Sequence, residues 1–121
     1  METGQMIEDY TYEGEDFCAV FSSKDWKIGL LRSSERFSRL EQLERHLETD
    51  EVFVLLCGSA TLYTDTESMK MKPCHVYNIP CGIWHHVVVS EDALVMVAEN
   101  QNTSKANTEK RAYSLEGEAI C

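Results

Sequence analysis

The sequence predicts an all-β protein, a single small antiparallel sandwich or barrel, and three observations carry that expectation. From Glu51 onward, short runs rich in Val, Tyr, Phe and Leu alternate with turn residues: EVFVLLC, ATLYT, HVYNI, WHHVVVS and ALVMVAEN. They are separated by Gly58-Ser59, the polar stretch DTESMKMKP, Pro80-Cys81-Gly82 and Glu91-Asp92. β-branched and aromatic residues in short runs at this close spacing are what antiparallel strands require. Upstream, FCAVFS and WKIGLLR read as two more strands split by Ser23-Lys24-Asp25, bringing the number to about seven, enough to close a small barrel. With 121 residues, a second domain would be too small to bury a stabilising core, so residues 1–121 are expected to form one domain.

Composition narrows the class. Hydrophobic residues make up 43% and charged residues 26%, as in soluble globular chains and unlike disordered ones. No stretch approaches the roughly 20 apolar residues of a membrane helix. The start, METGQMIEDYTYEGED, is acidic where a secretory signal would be basic and then apolar. A cytoplasmic protein without membrane attachment is expected. Eleven Lys and Arg against 21 Asp and Glu give a net charge of -10, and no basic cluster offers the phosphate attraction that nucleic-acid binding needs. The five cysteines are odd in number and form no C-x-x-C pair, so free thiols are expected, with Cys57, Cys74 and Cys81 as small buried hydrophobes.

Two segments depart from the strand pattern. In SERFSRLEQLERHLE, Phe37, Leu40, Glu44 and Leu47 recur at helical spacing with charges between them, which would suit a helix of about three turns. An extended chain there would instead place Glu44 and His46 on one face, whereas a helix would turn them about 200° apart; the extended form is the expectation. Residues 101–121 are polar, with Ala112, Tyr113, Leu115 and Ile120 as anchors, and read as a C-terminal arm on a barrel core of about 16–100.

The stretch IPCGIWHH, residues 79–86, combines a turn with two adjacent imidazoles. Pro80 suits the second position of a β-turn and Gly82 its exit. In the strand that follows, His85, Val87 and Val89 share one face and His86, Val88 and Ser90 the other, so only one imidazole can enter a barrel. His85 is expected inside and His86 outside. In ERHLETDEVFVLLCG, Glu51, Phe53, Leu55 and Cys57 share a face. A carboxylate and the His46 imidazole would then approach His85 from neighbouring strands.

His46, four residues, Glu51, six residues, Gly58 resembles the second half of the first cupin motif, and Pro80-x-Gly82-x-x-His85 resembles the core of the second. The two spacings together, in the right order, resemble a small single-domain cupin. The resemblance implies a jelly-roll barrel, with short N-terminal strands and the C-terminal arm, that holds one divalent metal ion by His46, Glu51 and His85. The first-motif position usually filled by another histidine falls on Glu44. Val89 and Cys74 stand where asparagine and glycine are usual. Two imidazoles with one or two carboxylates suit Fe, Mn, Ni or Zn. Glu44 would serve as a further ligand, favouring Mn or Fe, or as a general base beside the ion. Tyr77 and Trp84, near the ligand strand, are candidates for the cavity mouth and substrate binding.

The implied function is a metal-dependent enzyme acting on a small polar, oxygen-bearing metabolite, of dioxygenase, isomerase or lyase type. The alternative is a non-catalytic small-ligand-binding or sensor cupin, with or without metal. A homodimer is expected, since small cupins commonly pair and the N-terminal segment carries Tyr10, Tyr12, Phe17 and Phe21 beyond the needs of one small barrel.

Overall fold

The alternating runs are extended and pair antiparallel throughout. The structure, a computed structural model, describes residues 6–113 and the backbone of 119–120. Its strands are β1 Phe17–Ser23, β2 Trp26–Arg32, β3 Gln42–His46, β4 Glu51–Cys57, β5 Ala60–Thr64, β6 Ser68–Lys70, β7 Tyr77–Ile79, β8 His85–Val89, β9 Leu94–Asn100, β10 Thr108–Tyr113 and β11 Ala119–Ile120. One sheet has the order β1-β2-β9-β4-β7 and the other β11-β10-β3-β8-β5-β6. Their inward faces meet in a core that includes Leu31, Phe53, Leu55, Leu62, Val87 and Val95. Among the described residues, no helix is long and apolar enough to cross a membrane.

The helical spacing of residues 34–48 yields only a single 3-10 turn, Glu35–Phe37, before β3 begins. Pairing overrides propensity here. β3 is flanked by β10 along five residue pairs and by β8 at Glu44↔His85, and in the resulting two-residue alternation Leu43 is fully buried while Glu44 and His46 share the opposite face.

The Pro80 turn is displaced by one residue from expectation. Ile83 N–H donates to Pro80 O at 3.2 Å, so Pro80 is the first turn residue and Gly82, with φ 85°, the third, where a left-handed conformation favours glycine. The turn is tied to the neighbouring loop. Gly82 N–H donates to His46 O at 2.8 Å and Cys81 N–H to the Asp50 carboxylate at 2.8 Å. These bonds bring the end of β3, the start of β4 and the entry to β8 to one place. Gly58 has a second requirement. At φ 76° its backbone lies so close to Ala93 that an added Cβ would stand 2.5 Å from the Ala93 Cα.

Three expectations are corrected. Cys57, Cys74 and Cys81 are exposed rather than buried, although these three and Cys18 are free. A register shift between Leu55 and Cys57 turns Cys57 off the inward face, as bulges do, while Cys74 and Cys81 lie in loops. The polar stretch after β5 contains the edge strand β6. Residues 108–113 of the expected arm form β10, sandwiched between β3 and β11; residues 114–118 and 121 lie outside the description. The N-terminal aromatics find partners within the chain: Tyr10 packs on Phe21 and Phe21 on Trp26, and Phe17 packs against the core.

Candidate metal centre

Glu44, His46, Glu51 and His85 converge as the sequence reading expects, each offering a ligand atom within 4.8 Å of the others. Strand geometry explains the convergence. Glu44 and His46 occupy alternate positions of β3, Glu44 lies directly opposite His85 in β8, and Glu51 opens β4 just after the loop bonded to the Gly82 turn. His46 Nε2 and His85 Nε2 both approach Glu51 Oε1, at 2.9 and 2.8 Å, and Glu44 Oε2 is 3.5 Å from His46 Nε2. His46, Glu51 and His85 are buried, whereas the Glu44 side chain is 26% exposed.

The other ring nitrogens are held from behind. His85 Nδ1 lies 2.9 Å from Ile83 O; a carbonyl only accepts, so Nδ1 carries a hydrogen and donates it. In the neutral ring, Nε2 then presents a lone pair to a carboxylate oxygen 2.8 Å away. Two lone pairs at that distance require a cation between or beside them, either a proton or a metal ion. His46 Nδ1 is paired with Thr108 Oγ1 at 2.9 Å. Imidazoles fixed through the distal nitrogen, with a carboxylate sharing the proximal side, match the supporting shell of metal-binding histidines, and the donor set suits Fe, Mn, Ni or Zn.

Electrostatics follow from burial and these contacts. Burial pushes the Glu51 carboxyl up, but the hydrogen bonds and charges of His46 and His85 outweigh it and hold Glu51 well below the carboxylate range. For His46, burial favours the neutral ring, yet the hydrogen bond to Glu51 and the charges of Glu51, Glu44 and Glu99 raise its pKa.

Glu99 is a site residue that the motif spacing did not single out. It lies directly opposite Glu51 across β4 and β9 and opposite Lys27 across β2 and β9. It is 9% exposed, with Lys27 Nζ 3.5 Å from Oε2. Burial and the adjacent Glu51 charge push its carboxyl up to about 7 against the opposing pull of Lys27. A signal was present: in ALVMVAEN the face carrying Val95 and Val97 continues to Glu99, a charge at the end of an inward apolar row.

The four-residue cluster and Glu99 lie on the wall of one cavity of about 610 Å³. Tyr77 and Trp84, expected at its mouth, lie away from it. Tyr77 packs on the core, its hydroxyl accepting from Lys72 N at 2.8 Å, and Trp84 is clamped between the Arg45 and Arg111 guanidiniums at 4.6 and 4.4 Å. His86, expected to point outward, is buried and borders the cavity. It stacks on Phe37 and bonds Arg36 O through Nε2 at 2.8 Å, because the 3-10 turn covers β8 where β3 diverges from it. Burial, first among its causes, lowers its pKa.

No protein-family model matches the chain, and no curated protein matches it. Solved structures do. A cupin-2 domain protein from Shewanella frigidimarina aligns with a TM-score of 0.60 at 20% identity, over 74% of this chain and 85% of that one. Streptomyces Pac13 with uridine aligns at 0.68 and 9% identity over 95% and 98%; Pac13 is described as a nucleoside dehydratase. KdgF from Halomonas aligns at 0.60 and 15% identity over 82% and 91%. At these identities the likeness is one of fold, and it agrees with the two antiparallel sheets and their inward histidines: the chain is a small jelly-roll barrel with the cupin fold.

Proposed function

We propose that this chain is a small metal-dependent cupin enzyme acting on a small polar metabolite that bears oxygen donors. His46, Glu51 and His85 would hold one divalent ion of iron, manganese, nickel or zinc, with Glu44 close enough to join them. The observation that carries the reading is the His85–Glu51 contact, whose fixed Nδ1 donor leaves Nε2 and a carboxylate oxygen facing each other at 2.8 Å. Bound there, the ion would supply Lewis acidity toward a substrate oxygen.

The chain's own residues do the remaining work. Ile83 O and Thr108 Oγ1 hold the two rings in place, and Phe53, edge-on to His85 at 6.0 Å, keeps the ligand side apolar and shields it from water. Glu44 is the member of the set that substrate reaches most directly, so we assign it the proton-accepting role of a general base. Glu99, its carboxyl pushed up to about 7 with Lys27 beside it, takes up a proton more readily than an ordinary carboxylate.

The competing reading is a non-catalytic small-ligand binder in which a proton occupies the place of the ion. Protein purified without a chelating tag and loaded in turn with Mn, Fe, Ni and Zn decides between them by elemental analysis. About one ion per chain is expected, lost in His85→Ala and retained within a few-fold in His86→Ala. Failure to take up any of the four ions would install the metal-free binder, and loss in His86→Ala with retention in His85→Ala would mean that the opposite strand face lines the site.

A further inference from the structure

We infer that the cavity is built for an oxyanion, so that the substrate carries a carboxylate or phosphate group in addition to the oxygens that reach the ion. The inference rests on the metal reading for the ion alone; the anion is argued from the basic side chains that line the same cavity. The chain has 11 Lys and Arg against 21 Asp and Glu, yet the cavity wall reverses this excess: Lys27, Arg36, Lys105 and Lys110 line it against three carboxylates, Glu44, Glu51 and Glu99. The carboxylates are engaged, Glu51 and Glu44 with the imidazoles and Glu99 with Lys27. Arg36 is paired with Asp16 at 3.1 Å. The Lys105 and Lys110 side chains have neither an ion pair nor a hydrogen bond with any described residue.

Their placement is set by the fold. Lys110 lies in β10 directly opposite Glu44 in β3, and Lys105 lies in the 3-10 turn Lys105–Asn107 that leads into β10. That turn is pinned by Ser104 and Asn107, whose side chains bond each other's backbone. Thr103, also on the cavity wall, has its carbonyl taken by Lys27 Nζ at 3.1 Å, while its hydroxyl is buried with no partner among the described residues. Two unpaired lysine side chains, both on exposed residues, thus stand at the cavity beside the ligand cluster, with Lys110 directly across the strand pair from Glu44. Positive groups gathered at a concave cleft focus the field and attract an anion more strongly than the same charges scattered over a flat surface.

The test titrates malate and its uncharged diamide by calorimetry into the metal-loaded chain and into the Lys105→Ala/Lys110→Ala double variant, with bound metal measured in every sample. Malate is expected to bind at least about tenfold more tightly than the diamide, and the double variant to reduce that ratio to within about twofold while retaining its metal. Lys105→Arg/Lys110→Arg should restore most of the preference. Inorganic phosphate forms a separate arm, and whichever of phosphate and malate binds more tightly identifies the oxyanion. Equal binding of malate and diamide, no anion binding at millimolar concentration, or a preference untouched in the double variant would overturn the inference. A lysine-dependent preference in protein that takes up no metal would uphold it and defeat the metal reading, and a metal-loaded chain indifferent to the lysines would do the reverse.

Discussion

The two ends of the barrel interior are built by the same strands with opposite chemistry. In β4 the inward row runs from Glu51 to Phe53 and Leu55; in β8 it runs from His85 to Val87 and Val89; in β9, traversed the other way, Val95 and Val97 precede Glu99. Antiparallel pairing aligns these gradients, since Glu51 faces Glu99 and Leu55 faces Val95 across the same ladder. The ionisable groups therefore collect at one end and the aliphatic ones at the other. The charged end is stable only because the apolar end offsets its cost. Burying Glu51 and Glu99 against each other is unfavourable without a cation, and the aliphatic rows offset that.

The largest effect of a single substitution is expected at the apolar end. Leu55, 3% exposed in the centre of the core, should cost about 2–5 kcal/mol when replaced by Ala, from lost burial and the cavity left behind. Urea denaturation measures this directly, and metal affinity of the fraction that remains folded should be unchanged. A cost below about 1 kcal/mol would mean that stability resides elsewhere.

The charged end should respond to pH rather than to volume. Glu99 has a folded pKa of about 7 against an ordinary 4.5, so between those values the folded chain holds more protons than the unfolded one and stability falls as pH rises. His46, also raised, contributes fully below about 6.5 and loses its contribution as pH climbs through its folded value. Glu51, strongly lowered, contributes above its ordinary range and loses that only in acid, while His86, lowered by burial, disfavours the fold as pH drops below its ordinary value. Glu99→Gln isolates the first effect. With metal chelated, its stability relative to the parent chain should rise by on the order of 2 kcal/mol from pH 5 to pH 8. A difference that stays constant across that range in parallel denaturation curves would show that Glu99 holds no extra proton.

The two ends also differ in how much of each is written in local sequence. His46, Glu51 and His85 were legible because two spacings and a two-residue alternation are local properties, and they sufficed to override the helical periodicity around Glu44. The apolar rows were legible for the same reason. Glu99 and Lys27 were harder, because they meet Glu51 only through the register of β2, β9 and β4, which no single run encodes. Strand β10 was hidden because TEKRAY has charge on both faces and no apolar row, so its inward positions, Thr108 and Lys110, resembled solvated tail. Trp84 and Tyr77 were misplaced because an aromatic near a ligand strand packs equally well away from a cavity as over it, Trp84 on two arginines and Tyr77 against the core.

That hidden strand supports the smallest effect expected. His85 is oriented by a backbone carbonyl, Ile83 O, which no side-chain substitution removes, whereas His46 depends on the Thr108 hydroxyl 2.9 Å from its Nδ1. Thr108→Val keeps the branched shape and the strand pairing with His46 but deletes the oxygen, leaving the His46 ring free to rotate or to change tautomer. Loss of such a supporting partner typically weakens metal binding by about 10–100-fold. The lower figure is expected here, because Glu51 still positions Nε2 from the front. Competition against a chelator of known affinity would measure it, with thermal unfolding of the metal-free chain as the control. Unchanged affinity with an unchanged midpoint would mean that His46 is held by Glu51 alone and that β10 serves the barrel without serving the ligand set; a tenfold loss with the midpoint preserved would show that a strand without any apolar signature is part of the metal centre.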